Sequence, residues 1–195
     1  MVGLADRAAR KPYSIVSSPD EQRRTGVLEF LVEVGPDGQA RPNLDPVGPG
    51  SCVAVEGPVG GFVLPRRLPR DLLFIAGGTG IAPLRAMIAS ALARRRPPSI
   101  SLMYSARTPD EFAFSRELLA LSRQGRLRLS RTITRKGGSS WRGRRGRIQQ
   151  AWIDALVRDR APLCFVCGPE SFVADVMKML RDAGVPARDI RRERY

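Results

Sequence analysis

Apolar and polar residues alternate in two different ways along this chain. From residue 13 to residue 66 the apolar positions fall in short runs rich in Val and Ile: "YSIVSS" at 13 to 18, "LEFLVEV" at 28 to 34 and "SCVAVEG" at 51 to 57. Turn residues separate them ("GPDGQARPN", "DPVGPG"), so the pattern predicts a small β unit. "PRRLPRD" at 65 to 71 reads as a linker. From Leu72 the pattern changes. "LLFIA" at 72 to 76 is a continuous apolar run of buried-strand length. A helix is predicted over 83 to 95 with Pro83 at its first position, then a strand over 99 to 105 and a helix over 109 to 124. A strand over 126 to 134, a helix over 148 to 157 and a strand over 163 to 167 follow. A helix over 170 to 184, closed by Gly184, and a short strand over 189 to 195 complete the chain. Such alternation predicts a doubly wound, five-stranded parallel sheet with helices on both faces. Two domains are expected, at 1 to 66 and 67 to 195.

Composition narrows the classes of function. At 43% hydrophobic over 195 residues the chain can bury a core. No apolar run approaches the roughly 18 to 20 residues of a membrane-crossing helix. "MVGLADRAARK" has no apolar region of secretory type. Cys52, Cys164 and Cys167 lack framework spacing, which predicts reduced thiols and a cytoplasmic address. The formal charge is +14, from 33 basic and 19 acidic residues, a balance that attracts polyanions. Only Lys11, Lys136 and Lys178 are lysines, so part of that charge reflects an arginine-rich composition. Histidine is absent, which removes imidazole triads, ligands and proton shuttles. Three cysteines cannot alone hold a four-thiolate cluster, and no metal is expected.

Two short stretches carry candidate chemistry. "FIAGGTGIAP" leaves a buried strand and opens a helix. There Gly77, Gly78, Thr79 and Gly80 allow a tight turn whose amides, with the helix N-terminus, face a pyrophosphate. It is neither a six-residue dinucleotide fingerprint nor a Walker loop, and a plain tight turn is the alternative. A side chain at Gly80 is expected to obstruct the pyrophosphate while leaving folding nearly intact. "FVCGPE" repeats the device: a strand ends in Cys167, Gly168 turns, and Pro169 starts a helix. Both loops are expected on one crevice. Cys164 and Cys167 form a C-x-x-C on a strand, which sends them to opposite faces and argues against a dithiol pair.

"KPYS", "GPVGGF", "GGTGIAP", "SARTPDEFAF", "WRGRRGRI", "CGP" and the closing "ERY" occur in the order found in the ferredoxin–NADP reductase superfamily, and the chain resembles a bacterial FAD-binding oxidoreductase of that group. The resemblance implies an antiparallel FAD-binding β-barrel, here partial, before the NAD(P)-binding domain. It implies FAD and NAD(P)H as cofactors, hydride passing from nicotinamide to flavin, and electrons passing on to an acceptor such as an acidic ferredoxin or an oxygenase component. Carried over, Lys11 meets the flavin pyrophosphate, Tyr13 packs beside the ring system, and the Ser14 hydroxyl lies near flavin N5, with Pro12 part of the same cofactor-binding element. Lys11 departs from the family's arginine, whose fork an ammonium cannot reproduce. Gly57, Pro58, Gly60 and Phe62 match a turn closing the barrel. Asn43 stands where a second phosphate clamp is expected. Arg107 matches a position at the adenosine end of the nucleotide, with a solvated surface arginine as the alternative. Cys167 falls beside the nicotinamide, where Ser is expected to serve better than Ala. Glu193 and Tyr195 match the family's C-terminal Glu-x-aromatic, with Tyr195 over the flavin face or, alternatively, at a frayed terminus.

Only ten residues precede Lys11, fewer than the family's barrel strands occupy. "MVGLAD" is expected to be the end of the strand that normally precedes this element, which would leave the barrel edge open and flavin weakly held. A non-catalytic nucleotide-binding fragment or subunit is therefore a second reading. Nucleic-acid binding through "RGRRGR" at 142 to 147 is a third; aromatics are only 6%, and Trp141 alone is no stacking platform, so no nucleic-acid partner is expected.

Overall fold

The computed structural model describes residues 2–4, 12–34, 40–41, 48–135 and 140–195. Lys11 and Asn43 lie outside the described residues. The N-terminal unit contains β1 (Val2–Leu4), α1 (Pro19–Thr25), β2 (Glu33–Val34), β3 (Ala40–Arg41) and β4 (Val53–Val55). β1 pairs antiparallel with β4, and β2 with β3.

This unit is less regular than its Val- and Ile-rich runs predict. The expected strand at 13 to 18 is a single antiparallel bridge, Ile15 to Phe30, extended by one bond from the Val16 amide to the Glu29 carbonyl at 2.8 Å. Helix α1, which periodicity did not predict, begins directly after it. Ser18 caps α1 in a capping box with Glu21, and Pro19 occupies the first turn. That local chemistry, readable in "SPDE", turns the chain out of the extended state. Of 28 to 34, only Glu33 and Val34 join a ladder beyond the bridge, and of 51 to 57 only the central three residues do.

The second unit follows its predicted order. It comprises β5 (Asp71–Gly77), α2 (Ile81–Leu92), β6 (Ser99–Ala106), α3 (Ser115–Arg123), β7 (Arg128–Ile133), β8 (Arg144–Arg145), α4 (Gln150–Val157), β9 (Leu163–Gly168), α5 (Glu170–Asp182) and β10 (Ile190–Arg194). The sheet runs β10-β9-β5-β6-β7-β8, every pairing parallel. The five expected strands are joined by β8, a two-residue edge strand inside the predicted loop. Helix α2 begins two residues before Pro83, which becomes its third residue, still in the first turn where no amide partner is needed. The expected helix at 109 to 124 divides into a 3-10 turn (Pro109–Glu111) and α3, with Phe114 between them in a left-handed conformation (φ 57°).

Strand alternation sorts the core into two layers. Leu72, Phe74, Phe165 and Cys167 face α2 and α3; Leu73, Ile75, Cys164 and Val166 face α4 and α5. The N-terminal unit leans on the first layer. Leu31, Phe62, Leu64 and Leu68 pack against it, Phe62 meets Phe165 edge-on at 5.8 Å, and Arg191 donates to the Val63 carbonyl at 2.7 Å.

Candidate functional site

β5 ends at Gly77, and one 3-10 turn (Gly78–Gly80) leads into α2. β9 ends at Gly168, and Pro169 precedes α5. β5 and β9 are neighbours with Ala76 opposite Cys167, so both turns leave the sheet side by side. From β5 the chain extends the sheet first through β6 and only later, on the other side, through β9. Strand order reverses between β5 and β9, the position at which such sheets open a ligand crevice. The two loops thus share one crevice, as their sequence context predicts.

The glycines of the turn do different work. A Cβ on Gly80 would collide with the Cys167 carbonyl and stand 2.7 Å from the Gly168 nitrogen. Gly80 lets the start of α2 pass against the backbone of β9, so the expectation that a side chain there spares folding is overturned. Gly78 has φ 55°, and its added Cβ would meet only the Tyr195 hydroxyl, at 3.2 Å. It is the glycine that faces the crevice. Tyr104, which sequence reasoning missed, is fully buried in β6; its hydroxyl donates to the Gly78 carbonyl at 3.1 Å and accepts from the Ala113 amide at 3.3 Å. A tyrosine in the middle of a strand predicted to be buried was the available signal, because a buried phenol needs partners.

The C-terminus is bound, not frayed. The Tyr195 hydroxyl donates to the Gly77 carbonyl at 2.9 Å and accepts from the Gly80 amide at 3.3 Å. Burial pushes this phenol up, while hydrogen bonds with Thr79 and Gly80 oppose the shift. Most of the residue nonetheless faces solvent, 60% exposed, so the hydroxyl end alone is docked. The charge of Glu33, on β2, also acts on it.

β10 pairs with β9 so that Arg191 lies opposite Phe165 and Glu193 opposite Cys167. Alternation then places Arg191, Glu193 and Tyr195 on the face that carries Phe165 and Cys167. Burial, then the Glu193 charge, push the Cys167 thiol up to about 12, against a hydrogen bond from the Gly168 amide. Burial also raises the Glu193 carboxyl. Cys164 sits in the opposite layer, its thiol likewise pushed up to about 12 by burial and by the charge of Asp189. The two cysteines therefore occupy opposite faces, as their spacing predicts.

Tyr13 and Ser14 are half-buried on the extended segment before the Ile15 bridge, with Pro12 exposed. The Tyr13 ring meets Phe30 edge-on at 6.5 Å, and burial raises its phenol. Arg107 is exposed just past β6; its amide donates to the Glu111 carboxylate at 3.1 Å and its carbonyl accepts from the Arg135 amide at 2.9 Å. Trp141 is not an open platform: it stacks on Phe112 at 5.2 Å, and its indole donates to the Arg144 carbonyl at 2.9 Å. Among the described residues, no cluster of His, Cys, Asp or Glu could hold a metal ion, and no helix is long and apolar enough to cross a membrane.

The residues fit a dinucleotide at the crevice. Gly78 leaves the turn unshielded by any side chain of its own, and the Gly80 amide donates to the Tyr195 hydroxyl, an oxygen standing where a phosphate oxygen would. Tyr13 and Ser14, half-buried on one extended segment, are residue types that fit a flavin, an aromatic ring for its plane and a hydroxyl for its polar edge.

Residues 74–178 match the oxidoreductase NAD-binding domain family and residues 1–64 the oxidoreductase FAD-binding domain family. The chain is 34% identical over 195 residues to ferredoxin–NADP reductase B of Sorangium cellulosum, covering 95% of this chain and 78% of that protein. It is 30% identical over 181 residues to an NADPH oxidoreductase of Mycobacterium tuberculosis, covering 91% of this chain and 46% of that protein. Among solved structures it resembles a ferredoxin–NADP+ reductase of Neisseria gonorrhoeae with bound FAD and NADP, at 25% identity and a TM-score of 0.76, over 99% of this chain and 83% of that one. The chain belongs to the ferredoxin–NADP reductase superfamily of FAD- and NAD(P)-dependent oxidoreductases.

Proposed function

We propose that this chain passes electrons from NAD(P)H through FAD to a protein acceptor in the cytoplasm. The observation that carries the reading is the shared crevice, where the turn after β5, the turn after β9 and the Tyr195 hydroxyl meet. In this reading the chain divides near residue 66 into a flavin unit and a nucleotide unit. The amides of Gly78, Thr79 and Gly80, with the N-terminus of α2 around Pro83, receive the nucleotide pyrophosphate. Gly168 and Pro169 bound its other side, and Arg107 lies toward the adenosine end. Cys167 offers the nicotinamide a neutral thiol, because burial keeps it protonated. Glu193 beside it is biased toward its protonated form. Tyr195 covers the crevice and moves aside as the nicotinamide enters. On the flavin side, Lys11 and Asn43 meet phosphate, Pro12 and Tyr13 pack by the ring system, and Ser14 hydrogen-bonds at its reactive edge. Bound FAD supplies hydride acceptance and one-electron release; the chain binds, orients and excludes water.

The charge of +14 suits an acidic acceptor such as a ferredoxin or an oxygenase component. Three free cysteines, Cys52 of them exposed, suit a reducing compartment. The test is the purified protein's flavin absorbance per chain, with NADH- and NADPH-dependent reduction of a dye and of an acidic ferredoxin. Nucleotide-dependent reduction, with FAD supplied in excess, is expected. A colourless protein that binds nucleotide without reducing the dye would replace this reading with that of a non-catalytic nucleotide-binding subunit.

A further inference from the structure

Arg85 lies in the second turn of α2, five positions beyond Gly80, and none of the sequence motifs includes it. Its side chain is only 12% exposed, and its guanidinium reaches two stretches of chain, 16 to 21 and 114 to 117. Nη1 donates to the Glu21 carboxylate at 2.6 Å and to the Val16 carbonyl at 3.3 Å. Nε donates to both oxygens of Glu117 on α3, at 3.1 and 3.2 Å. The guanidinium also lies 5.9 Å from the centre of the Phe114 ring, at the left-handed residue that starts α3.

The consequence falls on the flavin-side segment. Val16, Ser17 and Ser18 are buried at this contact. The Val16 amide is held by the Glu29 carbonyl at 2.8 Å while its carbonyl is held by Arg85, so its peptide groups are fixed from two sides. The Glu21 carboxylate that Arg85 grips also accepts from the Ser18 amide at 2.7 Å, fastening the start of α1. Ser14 precedes Val16 by two residues, about 7 Å of extended chain. The same arginine is covalently part of the helix whose N-terminus forms the nucleotide turn.

We propose that Arg85 is a positioning residue that sets the Tyr13 and Ser14 segment against the nucleotide turn, and thereby the distance over which hydride transfer occurs. The proposal rests on the function proposed above. It commits to arginine and not to charge alone, because one planar fork serves two carboxylates and a carbonyl lying in different directions, which an ammonium cannot do. Small errors in the approach of two reactants cost far more in rate than in binding.

The experiment compares wild type, Arg85→Lys and Arg85→Met by hydrogen exchange and by steady-state kinetics per bound flavin. In Arg85→Met, exchange across residues 13 to 29 is expected to speed up by about tenfold or more with β5 and β9 unchanged. The kcat per bound flavin is expected to fall about tenfold, with KM for NAD(P)H changed less than about twofold. Arg85→Lys should lie between, nearer to Arg85→Met in kcat than in melting temperature. Unchanged exchange over 13 to 29, exchange that rises equally through the sheet, or an unchanged kcat per bound flavin would each overturn the proposal. Exchange needs no flavin, so a wild type that holds none would remove the functional reading while the exchange still decides whether the clamp exists. Should Arg85→Met not fold, Glu21→Gln releases the same segment from the other side, and exchange there decides.

Discussion

The hydroxyl of Tyr195 donates to the carbonyl of Gly77 at 2.9 Å, joining residues 118 positions apart. The Gly80 amide donates to the same oxygen at 3.3 Å. One phenol therefore occupies the position at which this turn would meet an anion. Tyr195→Phe keeps the ring and removes both bonds, each worth about 1 kcal/mol. NAD+ and NADP+ are expected to bind up to about thirtyfold more tightly to the variant by titration calorimetry. Weaker binding would mean that the hydroxyl serves the nucleotide instead of competing with it.

Gly80 and Gly78 should separate in stability. An alanine methyl at Gly80 meets the backbone of Cys167 and Gly168, which cannot swing away as a side chain would. Gly80→Ala is expected to cost about 1 to 3 kcal/mol, and to lower the melting temperature by about 2 to 4 °C for each of those kcal/mol. Gly78→Ala meets only the end of one side chain, the Tyr195 hydroxyl at 3.2 Å, which can give by a few tenths of an ångström, so it bears mainly the left-handed backbone cost of about 1 kcal/mol. Thermal melts of the two variants check the ranking. Equal losses would show that close approach of α2 to β9 is not what restricts residue 80.

Acid should loosen the clamp between the two units. Burial alone would raise the Glu21 carboxyl, but hydrogen bonds from Arg85 and Ser18 and the charge of Arg85 hold it below its ordinary 4.5. A carboxylate with a lowered folded value binds fewer protons folded than unfolded near that pH. Its stabilisation is present in full above about 4.5 and is lost as the pH falls through the lowered value. Melting temperature recorded from neutral to acid pH should fall more steeply below that point in wild type than in Glu21→Gln. Parallel curves would remove Glu21 from the acid response.

The cysteines should divide by burial. Cys52 is exposed, whereas the Cys164 and Cys167 thiols are buried and held protonated, with values near 12. Since the thiolate is the reactive form, maleimide should label one thiol in the native protein and three after denaturation. In turnover per bound flavin, Cys167→Ser should retain more than Cys167→Ala, because a serine oxygen can still accept from the Gly168 amide. Equal rates for the two variants would assign Cys167 to packing alone.

The N-terminal unit shows where periodicity misleads. "YSIVSS" has strand composition, yet it pairs at Ile15 alone, and Ser18, Pro19 and Glu21 convert the next residues into helix α1. β-propensity reports a fit to a partner strand more than a preference of the segment itself. Capping, in contrast, is local chemistry and was readable in four residues. β8 escaped prediction for the related reason that two arginines at a sheet edge have no periodicity to read.

From Leu72 onward the order of strands and helices was determined by the sequence, because apolar runs, helical spacing and glycines at strand ends act over a few residues. The same local signals marked both turns and the opposite faces of Cys164 and Cys167. Tertiary structure decided which glycine meets backbone and which meets the crevice, since Gly78 and Gly80 are indistinguishable until β9 lies beside β5. It also decided that Glu193 stands opposite Cys167, that the Tyr195 hydroxyl closes on Gly77, and that Arg85 gathers Val16, Glu21 and Glu117. Each of these contacts joins positions far apart in the chain, and register and packing bring them together only once the sheet has formed.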